Sequence, residues 1–250
     1  MKKLFFLVFL LIYWFQLFSA EKEITVNDLD FTTGLRVSYC DTKIVFSDDE
    51  IETSLIYMVL ALEVDFDIVD FLSIGVIAGY NWSRFENPLS ITSLPLSLEI
   101  EERANRSMVF GLNLKSEFFS SGDFSIFAKA EFIYFKLFKQ EREVNLSVVS
   151  GSATIQHWFY RATLDLILKY HGFQAIVPFL GPQVNIIGGE LKVTEDIEDI
   201  TGEEELTHHQ KNLFGMVGGI LYDFGRDWQA SLEVNLFSQL SITIGIFYQF

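Results

Sequence analysis

The sequence predicts an all-β fold, a closed antiparallel β-barrel of ten strands that crosses a membrane. Apolar residues alternate with small or polar residues through ten segments, and this period of two is typical of β-strands. Half of the residues are hydrophobic, yet no segment after residue 20 has the continuous apolar length of a membrane-spanning helix. Short and long connections also alternate along the chain, as expected for a barrel with two different rims.

The first twenty residues have the pattern of an export signal. Two lysines precede an apolar run over residues 4–18, and the small Ser19 and Ala20 come before a charged stretch. The run is shorter than the roughly 20 apolar residues that a spanning helix needs, so a cleaved signal peptide is favoured over a membrane anchor. We therefore expect export across the inner membrane, with residues 1–20 removed and residues 21–250 forming one domain.

Composition excludes several classes of function. Without residues 1–20, the chain has 16 basic and 34 acidic residues, a net charge of −18. Such a chain lacks the basic surface that nucleic-acid binding requires. Cys40 is the single cysteine, so neither an internal disulfide nor a cysteine-based metal site can form. The sequence predicts no cofactor, no metal site and no catalytic residue.

The first five strands each have one apolar face. In residues 30–40, for example, Leu35 and Val37 lie opposite Arg36, and the charge marks the inner face of the barrel. In residues 71–83 the inner face is mostly small or polar. The other inner faces carry Glu63 and Asp65 (residues 54–66), Lys115 and Glu117 (residues 107–119), and Lys129 and Glu131 (residues 124–137).

The last five strands alternate in the same way. Residues 153–170 place Trp158 and Leu164 outward and Arg161 and Asp165 inward. Three further strands cover residues 173–187, 213–224 and 228–237, with Glu233 inward on the last of them. The tenth strand, residues 240–250, ends at the last residue of the sequence with one fully apolar face.

The tenth strand resembles the closing strand of bacterial outer-membrane β-barrels. In that class a terminal Phe, preceded by apolar or aromatic residues at alternate positions, is the signal read by the barrel-assembly machinery. Ile246, Tyr248 and Phe250 match this signal. The resemblance implies an outer-membrane location, with membrane lipid and the assembly machinery as partners. The motif is general to the class and identifies no particular family within it.

The connections agree with this resemblance. Four of them, residues 67–70, 120–123, 171–172 and 225–227, are short and would be periplasmic turns. The long ones, residues 41–53, 84–106, 138–151 and 188–212, would be extracellular loops, whereas the link near residues 238–239 is short. An even number of strands lets the barrel close. Eight strands remain a variant if one hairpin is a soluble extension.

Inward charges are the main candidates for a site. We interpret them as a structural network that fills a narrow lumen, and Lys115 and Glu117 are expected to pair with Lys129 and Glu131. The alternative is a water-filled path whose charges select ions. The predicted lumen network comprises Arg36, Glu63, Asp65, Lys115, Glu117, Lys129, Glu131, Arg161, Asp165 and Glu233.

The longest predicted loop, residues 188–212, is acidic and contains His208 and His209. Its carboxylates suggest that the loop binds divalent cations, but the spacing of the carboxylates matches no EF-hand loop. We interpret the tract as a solvated extracellular loop.

Ten strands make the chain similar to the omptin proteases in size and loop asymmetry. That family uses an Asp-x-Asp and an Asp-x-His pair near the outer rim. Asp65 and Asp67 have the first spacing but fall at a periplasmic turn, and no histidine has the second. The sequence therefore favours a non-enzymatic surface or envelope protein with acidic loops that contact an unknown extracellular ligand. The alternatives are a narrow pore for ions or small solutes and, third, a membrane-embedded hydrolase.

Overall fold

The computed structural model describes residues 30–46, 51–69, 71–86, 89–91, 98–100, 105–145, 150–197, 200–225 and 227–250. The predicted signal peptide lies outside the described residues. None of the described residues belongs to a helix long and apolar enough to cross a membrane.

The described chain contains fourteen strands, all paired in antiparallel ladders. Their bounds are β1 Phe31–Phe46, β2 Glu52–Val69, β3 Leu72–Phe85, β4 Leu89–Ile91, β5 Leu98–Ile100, β6 Asn105–Ser121, β7 Phe124–Leu137, β8 Gln140–Asn145, β9 Ser150–Tyr170, β10 Ile176–Ile197, β11 Ile200–Gln210, β12 Phe214–Gly225, β13 Trp228–Leu236 and β14 Leu240–Gln249.

Ten of these strands close into a ring, which confirms the predicted barrel. The order around the ring is β1-β2-β3-β6-β7-β9-β10-β12-β13-β14, and β14 returns to β1 over ten residue pairs. Closure gives each of these ten strands a neighbour on both sides, which is a requirement for a sheet surrounded by hydrocarbon.

The polarity of this barrel is inverted relative to a soluble protein. On β6, Leu112 is 57% exposed on the outer face, whereas the neighbouring Asn113 is 2% exposed on the inner face. The same alternation runs along the other barrel strands. Tyr170, Trp228 and Tyr248 lie near the periplasmic ends of their strands, and Tyr134 and Trp158 lie toward the outer ends. An apolar band between aromatic belts is the surface that a lipid bilayer covers.

The predicted loop over residues 188–212 is wrong, because this tract is barrel wall. β10 continues to Ile197, and β11 runs back beside it from Thr201 opposite Asp196 to His209 opposite Gly188. Leu191, Val193 and Leu206 point inward and are buried, whereas Asp196, Glu203 and Glu205 point outward and are exposed. The strand period was hidden because this outer face lies above the bilayer, where charge replaces the apolar band.

β11 also closes the wall above the short β13–β14 hairpin. Its end pairs with β1, with His208 opposite Phe46 and Gln210 opposite Ile44. One strand therefore takes the place of the three strands β12, β13 and β14, and eight strands close the barrel at this level. We call residues 140–145, 150–157, 189–197 and 200–210 the extracellular extension.

The other predicted loops also contain strand. β1 continues to Phe46 and β2 begins at Glu52. Strand therefore covers most of the predicted loop 41–53. The predicted loop 84–106 contains the β4–β5 pair, and the predicted loop 138–151 contains β8, which pairs with β9.

Candidate functional site

The outer half of the barrel interior is filled by an apolar plug. At its centre, the rings of Phe135 and Phe159 stack with centroids 4.2 Å apart, and Tyr57 meets them edge-on at 5.5 and 5.6 Å. These three side chains are almost fully buried. The plug leaves no wide aqueous route through this level of the described barrel. Its other main members are Cys40, Ile44, Leu55, Val59, Val109, Ile133, Ile187 and Leu191.

A buried ionic centre lies next to the plug. One oxygen of Glu131 is 2.6 Å from Arg36 Nη1, and its other oxygen is 2.5 Å from Arg161 Nη2. All three side chains are less than a tenth exposed. Arg161 also approaches Tyr57 Oη at 3.4 Å, which joins the ionic centre to the plug. Glu131 thus lies between two guanidinium groups and offsets their mutual repulsion in a low dielectric.

The network continues toward the periplasm through Glu63. Arg36 Nη1 lies 3.3 Å from Glu63, and Lys115 Nζ lies 2.8 Å from Glu63 and 2.6 Å from Asp65. Asn113 donates a further hydrogen bond of 2.7 Å to Glu63. Each carboxylate is therefore held by at least one cation.

Gly75 on β3 makes this arrangement possible. A Cβ atom at Gly75 would lie 2.0 Å from Asp65 Oδ1 and 2.3 Å from Asn113 Oδ1, so a larger residue would displace these two side chains from the network. The inward glycine provides room for side chains from β2 and β6 to meet across β3.

The predicted pairing between β6 and β7 is wrong. The register places Lys115 opposite Lys129 and Glu117 opposite Phe127, so like charges or an aromatic ring face each other there. Lys129 instead reaches Glu233 at 3.3 Å, and Lys115 reaches β2. Pairing occurs across the lumen because inward side chains converge toward the barrel axis, where residues distant around the ring come within reach.

Asp165 and Glu117, two members of the predicted network, do not bind a cation in the described structure. Asp165 accepts a 2.9 Å hydrogen bond from Gln183, and Gln183 bonds in turn to Asn235. Within the described part of the chain, neither Asp165 nor Glu117 belongs to an ion pair. The amides Asn113, Gln183 and Asn235 were missed from sequence, although their inward positions were available from the strand period.

A buried histidine pair was also missed. His157 Nε2 and His208 Nε2 are 2.9 Å apart, and the rings of Phe46 and Phe85 lie beside them. The pair joins β9 to β11 above Trp158, outside the bilayer. Burial lowers the pKa of His208 to about 4 and that of His157 well below its usual value, so both rings are neutral at pH 7. No group of three or more metal-ligating side chains occurs among the described residues.

The predicted assembly signal lies at the closing seam. Phe250 N donates to Phe31 O at 3.0 Å, and the two aromatic rings stack with centroids 4.4 Å apart. The ring of Tyr248 meets that of Phe250 edge-on at 4.6 Å. Ile246 lies opposite Leu35, and both side chains point outward toward lipid.

Comparison with known proteins gives matches in structure alone. No family model matches the chain, and no curated protein matches it in sequence. The outer-membrane protease OmpT of Escherichia coli is 11% identical with a TM-score of 0.50, over 93% of this chain and all of that one. The NalP translocator domain of Neisseria meningitidis is 9% identical with a TM-score of 0.46, over 96% and 95% of the two chains. OprG of Pseudomonas aeruginosa is 12% identical with a TM-score of 0.42, over 89% and 96%.

The likeness to OmpT extends to the fold alone. Together with the closed ring, the apolar exterior and the aromatic belts, it defines this chain as a bacterial outer-membrane β-barrel protein.

Proposed function

We propose that this barrel is a non-enzymatic, non-conducting surface protein whose extracellular extension contacts partners outside the cell. The observation that carries the proposal is that the outer half of the interior is filled. The packed rings of Tyr57, Phe135 and Phe159 occupy the outer half, and the Arg36–Glu131–Arg161 centre lies next to them. A protein without an open lumen acts through its surfaces.

The extension has the chemistry of a contact surface. Glu203 and Glu205 are exposed on its outer face, and both carboxylates bind Lys192. Further acidic residues, Glu190 and Asp196, point outward from β10. An acidic β-surface above the membrane favours a cationic partner through electrostatic complementarity.

The two alternatives have less support. The plug argues against the narrow pore, since ions would have to cross a tightly packed aromatic layer. For the hydrolase, Asp65 is held by Lys115, and Asp67 accepts a 2.5 Å hydrogen bond from Ser73 near the periplasmic turn. Neither carboxylate lies at the outer rim.

Planar-bilayer conductance tests the absence of a pore. The refolded mature protein is expected to insert without conductance steps, because the plug excludes water and ions. The double variant Phe135→Ala/Phe159→Ala removes two stacked rings and is expected to conduct, which shows that the assay detects an open barrel. Reproducible steps from the wild type, with an ion preference that changes in Glu131→Gln, would establish the pore instead.

Binding to a polycation tests the extension. Protein in neutral-lipid nanodiscs is expected to bind immobilised poly-L-lysine, and Glu203→Gln/Glu205→Gln should weaken this binding several-fold at low salt. The matched control, Asp123→Asn/Asp227→Asn, removes the same charge from the periplasmic end and should have little effect. Equal losses in the two variants would mean that only net charge matters, and the extension would lose its assigned role.

A further inference from the structure

A cavity of about 280 Å³ occupies the periplasmic half of the interior. It is partly open, and the plug and ionic centre fill the barrel above it, so its entrance faces the periplasm. Asp67, Ser73 and Gln229, near the periplasmic ends of their strands, lie at its lower edge. One wall is apolar and is formed by Phe127, Ile167, Phe179, Leu221 and Phe247.

Lys169 is the unusual group in this cavity. Its Nζ lies 3.5 Å from the centre of the Phe127 ring, at the edge of the apolar wall. Lys115 and Lys129, which also line the cavity, bind carboxylates, whereas Lys169 is in no ion pair among the residues that the structure describes. The Lys169 residue is partly buried, and a cation–π contact offsets only part of the cost of the water that its ammonium group has lost.

The carboxylates that line the cavity have other partners. Glu63, Asp65 and Glu233 are held by Lys115 and Lys129. Asp67 accepts the hydrogen bond of Ser73. Lys169 is therefore the one cation lining the cavity that lies outside ion-pair distance of any described carboxylate, and it sits beside a hydrophobic wall that is reached from the periplasm.

We propose that this cavity binds a small carboxylate with an apolar body, which enters from the periplasm. The carboxylate would pair with Lys169, and the apolar body would lie along Phe179 and Leu221. The volume is at the lower end of the range for small-molecule sites, which restricts the ligand to a short chain or a single ring. This site is independent of the extracellular role proposed above.

Isothermal titration of the protein in nanodiscs, with empty nanodiscs subtracted, tests the site with octanoate as the probe. The wild type is expected to bind octanoate saturably and at least about tenfold more tightly than the neutral octanamide. Lys169→Met keeps the apolar stem and removes the charge, so it should weaken octanoate binding about tenfold and leave octanamide binding unchanged. Lys136→Met, at an exposed lysine near the outer rim, is the matched control.

A second variant separates binding from folding. Leu221→Trp narrows the cavity and leaves Lys169 in place, so it should abolish octanoate binding while the barrel remains folded by circular dichroism. Three results would each overturn the proposal: no saturable octanoate binding by the wild type, equal binding of octanamide, or unchanged octanoate binding in either cavity variant.

Discussion

Replacing Glu131 with alanine is expected to destabilise the barrel by about 3–5 kcal/mol, because it leaves a buried charge without its partner. Arg36 would keep Glu63 at 3.3 Å, but Arg161 would lose the one carboxylate that it binds in the described structure. The two guanidinium groups would then repel each other beside the apolar plug. Equilibrium unfolding by urea in lipid vesicles, followed by tryptophan fluorescence, measures the change.

Glu233→Ala is the matched control for this prediction. Glu233 also binds one lumenal cation, Lys129, but its side chain is 18% exposed and the two charged atoms are 3.3 Å apart. Solvent screening is greater there, so we expect a loss of at most about 1 kcal/mol. If the two variants lost equal stability, the Arg36–Glu131–Arg161 centre would have no special structural role.

The strand period predicted most of the barrel because lipid and lumen impose opposite demands on alternate residues. On β1, Leu35 and Val37 point to lipid, whereas Arg36 and Cys40 point inward and are buried, as the alternation requires. This argument depends only on neighbouring residues, so it needs no knowledge of how the strands pair.

Properties that depend on register were not available from the sequence. Lys115 and Lys129 lie on neighbouring strands, but whether each faces a carboxylate or another lysine depends on the alignment of β6 with β7. The plug likewise requires Tyr57, Phe135 and Phe159 to lie at the same height on three different strands. Strand tilt sets those heights, and a single sequence does not encode it in any local pattern.

The error over β11 has a different cause. In the bilayer an apolar outer face marks a strand, but above the bilayer the outer face is solvated. Glu203 and Glu205 alternate with Glu204 and Leu206, so composition indicated a loop even though Leu206, His208 and Gln210 keep the inward period. In the sequence, such strands can be recognised only from the alternate positions that form their inner face.

Deleting Phe250 is expected to remove most of the protein from the outer membrane. The deletion eliminates the terminal residue of the predicted assembly signal and also the last contact of the β1–β14 seam, where Phe250 bonds to and stacks on Phe31. We expect a reduction of about tenfold in the outer-membrane fraction, measured by quantitative immunoblotting, with accumulation or degradation in the periplasm. Phe250→Trp keeps an aromatic ring and should assemble at nearly normal levels.

Refolding without cellular machinery separates the two effects of this deletion. If Phe250 acts mainly as a recognition signal, the truncated protein should refold into lipid vesicles at nearly the wild-type rate, because none of the ten β1–β14 residue pairs involves Phe250. If the seam contact with Phe31 dominates, refolding into vesicles should fail as well. Normal outer-membrane levels of the truncation would show that neither the signal nor the seam contact is needed for assembly.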